Sequence, residues 1–184
     1  MSVQKEAATE AAPESDGQLT LKSIDTHMTE HEANGNLIFF DPPRLADEGY
    51  MRRLWLHPEV RDWSSRLGEN KKERRYLADV RQVLKGFVIG KNFDDDAILW
   101  RLDSEQQIVW EIRVTFAPQW RIFGSFSRPG EFVLANHKSR ALLEEEGFAK
   151  HIARCERVVG ALFPGHPMCT GLSRASLLVE FDYA

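Results

Sequence analysis

The segment from Arg113 to Arg140 carries the residues of this chain best suited to chemistry. It holds five Lys or Arg residues and a single acidic residue, Glu131, so its local net charge is +4 while the formal net charge of the chain is −4. Arginine presents a planar fork of donors that can bind two phosphate oxygens at once. A histidine can transfer a proton near neutral pH, and His137 stands beside Lys138 in the segment. The pattern therefore favours an anionic ligand such as RNA.

An antiparallel sheet is predicted to position these cations. Strands rich in Val, Ile, Phe and Trp are predicted over residues 107–116, 120–126 and 131–136. Only three and four residues separate them, which indicates antiparallel neighbours, because a parallel crossover needs about a dozen residues or more. Residues 98–102 are expected to widen this meander. Alternation along the strands puts Glu111 and Arg113 on one face and brings Arg121 from the neighbouring strand.

Two features of this cluster have a second interpretation. A solvated sheet face with ordinary surface cations explains the same residues, and composition by itself favours that simpler explanation. Glu111 is a candidate base if it faces the same side as Arg113. We expect it instead to form a salt bridge with Arg113 or Arg121.

Helices flank the predicted sheet on both sides along the chain. Apolar residues at helical spacing and the positions of prolines predict helices over residues 45–56, 59–67, 71–87 and 141–163. A first strand is predicted over residues 36–40, and residues 172–183 fit either a closing strand or a short helix. These elements predict one α+β domain over residues 36–184.

Residues 1–35 are predicted to form a disordered acidic tail. They contain two Lys and seven Asp or Glu residues and no aromatic residue, so too little apolar surface is present to offset the entropy of ordering. His27 and His31 are four residues apart, a spacing that suits a metal site on a helix. We expect no metal site there, because the segment is expected to be unfolded.

Composition and motifs exclude several classes of protein. Charged residues make up 28% of the chain, and no apolar run approaches the ~20 residues of a membrane helix. Cys155 and Cys169 belong to no CxxC motif, and phosphate-loop, GxGxxG and HExxH motifs are absent from the sequence. We therefore expect a cytoplasmic protein with reduced thiols, no cofactor and no metal.

The motif VWEIRVTFAPQWRIFGSF, followed by EFVLANHKSR, resembles the RelE/HigB-like toxin superfamily, in particular its phage-derived branch within the type II toxin–antitoxin systems. The resemblance is close over residues 99–140 and looser over residues 37–163. It implies a small α+β fold in which helices pack on one face of an antiparallel meander.

The resemblance also implies an activity and the residues that carry it. Family toxins cleave mRNA, often on the ribosome, without a metal, through attack of the RNA 2′-hydroxyl on the adjacent phosphorus. The implied catalytic residues are Arg113, Arg121, His137 and Lys138, and the implied substrate-binding residues are Arg128 and Arg140. The implied partners are an antitoxin, for example a small helix-turn-helix protein, and mRNA on the ribosome.

The chain departs from the family in ways that keep alternatives open. It carries the acidic tail, a larger helical region before the meander, 21 residues after Phe163, and Ser139 where a second cation is expected. One alternative is a non-catalytic interaction or regulatory module of phage origin, and another is DNA gyrase as the target. The acidic tail could also cover the basic cluster in place of an external antitoxin.

Overall fold

The computed structural model describes residues 16–43, 48–91, 99–102 and 108–181, with side chains described from Ile24 onward. The strands are β1 (Ile38–Phe39), β2 (Arg53–Leu56), β3 (Leu99–Arg101), β4 (Trp110–Val114), β5 (Trp120–Arg128) and β6 (Glu131–Ser139). The helices are α1 (Asp16–Ala33), α2 (Pro58–Ser65), α3 (Lys71–Val88), α4 (Arg140–Glu146), α5 (Phe148–Leu162) and α6 (Arg174–Leu177). The architecture is α+β, as predicted, with one six-stranded sheet in the order β1-β2-β6-β5-β4-β3.

The predicted meander is confirmed, but the sheet is mixed. Strands β3, β4, β5 and β6 pair antiparallel in sequence order, whereas β2 pairs with β6 in parallel. The helix predicted over residues 45–56 is therefore wrong throughout its described part, since residues 53–56 form β2 and residues 48–52 form no helix. Residues 45–47 lie outside the described part of the chain. Leu54, Trp55 and Leu56 are all buried, and a short apolar run buried on both faces shows no alternation that would distinguish a strand from a buried helix segment.

Helices cover both faces of the sheet, which corrects the prediction of helices on one face. Neighbouring residues of β5 illustrate this, since Ile122 packs in a core cluster with α2 and α3, while Phe123 packs in a second cluster with α1 and α5. Both side chains are fully buried. Since successive residues of a strand point to opposite faces, each face of β5 has its own core.

Helix α1 occupies part of the segment predicted to be a disordered tail. Ile24 and Met28 are 6% and 3% exposed and pack into the second core cluster. The prediction is therefore wrong from Ile24 to Ala33, because two apolar residues four apart share one helical face that average composition conceals. Residues 1–15 lie outside the described part of the chain.

The C-terminal half follows the predicted pattern closely. The helix predicted over residues 141–163 divides at Gly147, whose φ of 83° suits glycine, into α4 and α5. The open question at residues 172–183 resolves to the short helix α6, whose Leu177 is buried in the first core cluster. None of the described helices is long and apolar enough to cross a membrane.

Candidate functional site

Three of the predicted catalytic cations lie side by side across the meander. Arg113 of β4 pairs with Arg121 of β5, and Arg121 pairs in turn with Lys138 of β6. Directly paired residues of antiparallel strands share a face, with Cβ atoms about 4.5–5.5 Å apart. We call Arg113, Arg121 and Lys138 the cation row. It lies on the sheet face that α5 covers.

Glu111 lies beside this row and is almost fully buried, with 1% of its surface exposed. Arg113 Nε donates a hydrogen bond to Glu111 Oε1 at 2.5 Å, and Arg121 Nε lies 3.6 Å from the same oxygen. The predicted salt bridge is confirmed. The guanidinium of Arg113 also lies over the Trp100 ring, 4.9 Å from its centroid. Glu111 Oε2 has no hydrogen-bond partner among the described residues.

Helix α4 brings further carboxylates to the row. Lys138 Nζ lies 2.8 Å from Glu146 Oε1, and Lys150 Nζ lies 3.1 Å from Glu146 Oε2. Hydrogen bonds from Lys138 and Lys150 lower the pKa of Glu146 to about 2. Arg140, a predicted substrate-binding residue, donates from Nε to Glu144 Oε1 at 2.9 Å. Each cation of the row therefore has a carboxylate partner within the domain.

A cavity of about 460 Å³ opens beside the row. It is lined by Leu102, Glu111, Arg113, Arg121, Arg140, Glu144, Phe148 and Ile152. Burial lowers the pKa of Arg121, while the charge of Glu111 opposes that change. An arginine nevertheless stays protonated in proteins. The cavity thus presents three guanidinium groups and two carboxylates above an apolar wall, a volume and a donor set suited to a phosphodiester.

The structure does not bring His137 to this cavity. His137 pairs with Ile122, and the strand alternation places its ring on the opposite face from Lys138. The ring stacks on Trp63 with 4.0 Å between centroids and 12° between planes. Burial, followed by the charges of nearby cations, lowers the pKa of His137 to about 4. The imidazole is therefore neutral at pH 7.

Arg128 also lies away from the row, seven residues along β5 from Arg121, which corresponds to about 23 Å of strand. It donates hydrogen bonds to Asp25 of α1 and lies 3.3 Å from Glu131. Burial opposes the charged form of Arg128, but its bonds to Asp25 and Glu131 prevail and raise its pKa. Arg128 thus holds α1 to the sheet at the far end of β5.

Sequence reasoning missed Glu144 and Glu146 as parts of the site. The basic segment from Arg113 ends at Arg140, and these two acids follow within six residues of Arg140. A helix that begins immediately after β6 turns back toward the sheet, so it predicts that these acids lie near the cation row. The two acids that pair with the cations therefore lie just beyond the end of the basic segment in the sequence.

No family model matches this chain, and the curated proteins and solved structures likewise give no match. The resemblance to RelE/HigB-like toxins therefore stays a prediction supported by its motifs. Within the described ranges, no group of three or more His, Cys, Asp or Glu residues is placed to hold a metal ion. His31 of the HMTEH segment instead makes a 2.5 Å hydrogen bond from its ring to the Leu162 carbonyl.

Proposed function

We propose that the protein is a metal-independent endoribonuclease that binds an RNA strand along the cation row. The observation that supports this proposal is the cross-strand register that aligns Arg113, Arg121 and Lys138. Those cations belong to the motif that resembles RelE/HigB-like toxins. Under this proposal mRNA on the ribosome is the substrate.

The chemistry of the proposal follows from the positions of the charges. The RNA 2′-hydroxyl attacks the adjacent phosphorus and a cyclic 2′,3′-phosphate forms as the bond from phosphorus to the 5′-oxygen of the next nucleotide breaks. That oxygen takes a proton from water as it leaves. Arg113 and Arg121 donate to the non-bridging oxygens, whose negative charge grows in the transition state. Lys138 stabilises the leaving side of the phosphate. Glu111 Oε2 is the candidate acceptor for the 2′-hydroxyl proton, since the register keeps His137 on the other face.

RNA must compete with the carboxylates that already contact the row. Glu144 and Glu146 are exposed, and ion pairs at the surface contribute little net stability, so phosphate oxygens can replace them. Glu111 is buried and stays in place between the two arginines. We therefore expect binding to be moderate in affinity and to weaken as salt rises, because phosphate binding releases counterions from RNA.

Replacement of Arg121 tests this proposal. Arg121→Gln removes the central guanidinium while keeping polar atoms, and its matched control is Arg157→Gln on the exposed side of α5. Loss of one transition-state donor costs on the order of 10²–10³ in rate. We expect cleavage of an oligoribonucleotide, measured with a chelator present, to fall by that factor in Arg121→Gln and to be unchanged in the control.

Two further measurements make the result decisive. A DNA oligonucleotide of the same sequence should bind at low salt and stay intact, because it lacks the 2′-hydroxyl. Expression of the wild-type protein should arrest growth, and Arg121→Gln should relieve the arrest. Intact RNA after incubation with wild-type protein and ribosomes would reject the endoribonuclease proposal.

A non-catalytic binding module is the second candidate, and the ion pairs of the row favour it. Since each row cation has a carboxylate partner in the same domain, the row can be a structural network that a partner protein recognises. This function predicts neither RNA cleavage nor growth arrest. A gene for a small helix-turn-helix protein beside this one favours the toxin with its antitoxin, whereas neighbouring phage structural genes favour the module.

A further inference from the structure

A second cavity lies on the sheet face opposite the cation row. Its volume is about 300 Å³, and its lining residues are Trp63, Arg66, Asn70, Lys72, Glu73, Tyr76, Leu77, Pro118 and Trp120. We call it the aromatic cavity. It shares no residue with the cation row, so the inference drawn from it is independent of the proposed endoribonuclease.

Three aromatic rings form a connected surface in this cavity. The centroids of Trp63 and Trp120 are 4.8 Å apart, and those of Tyr76 and Trp120 are 6.0 Å apart with 28° between the planes. The His137 ring stacks on Trp63 with 4.0 Å between the ring centroids. Because these rings pack against one another, they form a fixed aromatic wall rather than a slot that another ring could enter. A planar ligand would stack on the face of this wall.

Two buried donors of the wall have no hydrogen-bond partner within the described part of the chain. They are the Tyr76 hydroxyl and Trp120 Nε1. Tyr76 is only 6% exposed, and burial raises its pKa, so the hydroxyl keeps its proton. Buried polar groups in folded proteins are almost always paired. An acceptor atom on a ligand ring would pair the Tyr76 hydroxyl.

The mouth of the cavity is positively charged. Arg66 and Lys72 line it, and across the described residues neither has a carboxylate within ion-pair distance. Lys72 lies in the first turn of α3, an 18-residue helix whose N-terminus carries partial positive charge. The one acid in the lining, Glu73, accepts a hydrogen bond from the Glu69 amide at 2.7 Å. These cations differ from the cation row, whose charges are already neutralised by carboxylates.

We propose that the aromatic cavity binds a small planar heteroaromatic anion. Its ring stacks on Trp120, and an acceptor atom of the ring accepts a hydrogen bond from the Tyr76 hydroxyl. Its acidic group lies between Arg66 and Lys72. The volume is at the lower end of the range for ligand pockets, which indicates one or two fused rings with a single acidic substituent. Pyrimidine carboxylates and purine mononucleotides have this chemistry.

Calorimetric titration of the full-length protein tests the proposal with matched probes. The aromatic anions are orotate and adenosine 5′-monophosphate, the neutral rings are uracil and adenosine, and the non-aromatic anions are acetate and ribose 5-phosphate. We expect at least one aromatic anion to bind about tenfold or more tightly than its neutral and its non-aromatic counterpart, because stacking and charge both contribute. Equal affinities within each set, or no binding by either aromatic anion, would overturn the proposal.

Two variants assign the binding to this cavity. Tyr76→Phe keeps the ring and removes the donor, so affinity should fall on the order of fivefold. Lys72→Gln should weaken binding and reduce its dependence on salt, whereas Arg75→Gln, an equal charge change on the exposed surface of the same helix, should do neither. Binding that survives both Tyr76→Phe and Lys72→Gln unchanged would place the ligand elsewhere and reject the inference. RNA cleavage should be the same in all three variants.

Discussion

At the residue scale, His137 shows how strongly burial controls a titratable group in this fold. Its ring is packed against Trp63 and Trp120, and the first cause of its lowered pKa is the loss of water around it, with Arg66, Arg154 and Lys138 adding to that effect. A histidine with a pKa of about 4 cannot act as an acid at pH 7. Its contribution is to the stability of the aromatic cluster.

The free energy of unfolding should therefore depend on pH through His137. Between pH 6.5 and 4 the unfolded chain binds a proton at this histidine and the folded chain does not, so stability falls as pH falls through that window. From pH 7.5 to 5.0 the loss is about 2 kcal/mol for this group. Urea unfolding should show that the loss of stability from pH 7.5 to 5.0 is smaller in His137→Phe than in the wild type, and that the difference is about 2 kcal/mol.

The control for this prediction is Leu142→Phe, because Leu142 is an exposed residue of α4 and the change adds a ring without removing a titratable group. Its pH dependence should match that of the wild type. If the free energy of unfolding of His137→Phe depends on pH as strongly as that of the wild type, other groups cause the acid sensitivity.

The cation row shows what residue spacing can and cannot predict. Period-two alternation predicted that Arg113 and Arg121 share a face, and the register confirms it. The same alternation puts His137 and Lys138 on opposite faces, yet their adjacency in the sequence suggested one cluster. The ion pair of Lys138 with Glu146 depends on where α4 begins, which charge counting along the chain does not reveal.

At the scale of elements, the pairing of β5 with β6 depends on a glycine. The register shifts between Phe123 and Gly124, and a Cβ at Gly124 would lie 2.3 Å from the Val133 carbonyl oxygen and 2.9 Å from the Phe132 ring. These distances leave no room for a methyl group against the backbone of β6. The glycine therefore permits the close approach of the two strands.

Gly124→Ala should destabilise the protein by about 1–3 kcal/mol, the usual cost of overpacking a core. Gly160 in α5 is the matched control, since a Cβ there would meet nothing within 4 Å. Gly160→Ala should raise the free energy of unfolding by about 0.5–1 kcal/mol, because glycine is unfavourable inside a helix. Chemical denaturation of both variants checks that the two changes in the free energy of unfolding have opposite signs. An unchanged free energy of unfolding in Gly124→Ala would refute the close-packing explanation.

Elements with strong periodicity were predictable, and elements defined by their neighbours were not. Helix α3 and strands β4 to β6 were predicted near their observed bounds. Each of them shows apolar residues at one clear spacing or has a turn on either side. Strand β2 was missed because its pairing with β6 joins residues far apart in the sequence. The aromatic cavity was missed for the same reason, since Trp63, Tyr76 and Trp120 come from three different elements.

At the scale of the whole molecule, α1 is a part of the fold that sequence composition concealed. Its Asp25 contacts Arg128, and its Ile24 and Met28 lie in the core beside Val133 and other apolar residues. The described part of the acidic segment is thus docked at the far end of β5 from Arg121. Asp25 therefore contributes to holding the helix in place, not to covering the cation row.

This docking changes how autoinhibition by the N-terminal segment must be tested. Deletion of residues 1–35 removes Ile24 and Met28 with the acids, so a change in RNA binding would be confounded by lost stability. Deletion of residues 1–15 removes one Lys and three Glu residues and leaves α1 complete. Autoinhibition predicts tighter RNA binding after the shorter deletion, with a difference that shrinks as salt rises.

The packing of α1 itself gives the last prediction. Truncating a buried Ile or Met to Ala costs about 2–5 kcal/mol, and both side chains occupy one patch, so their effects should not add fully. We expect Ile24→Ala/Met28→Ala to lower the thermal midpoint and to increase amide hydrogen exchange throughout α1. Glu30→Ala, on the exposed side of the same helix, should leave both unchanged. RNA binding at low salt should be unaffected in the double variant, because the cation row lies at the other end of β5. Unaltered exchange in α1 would show that these two residues do not hold the helix to the sheet.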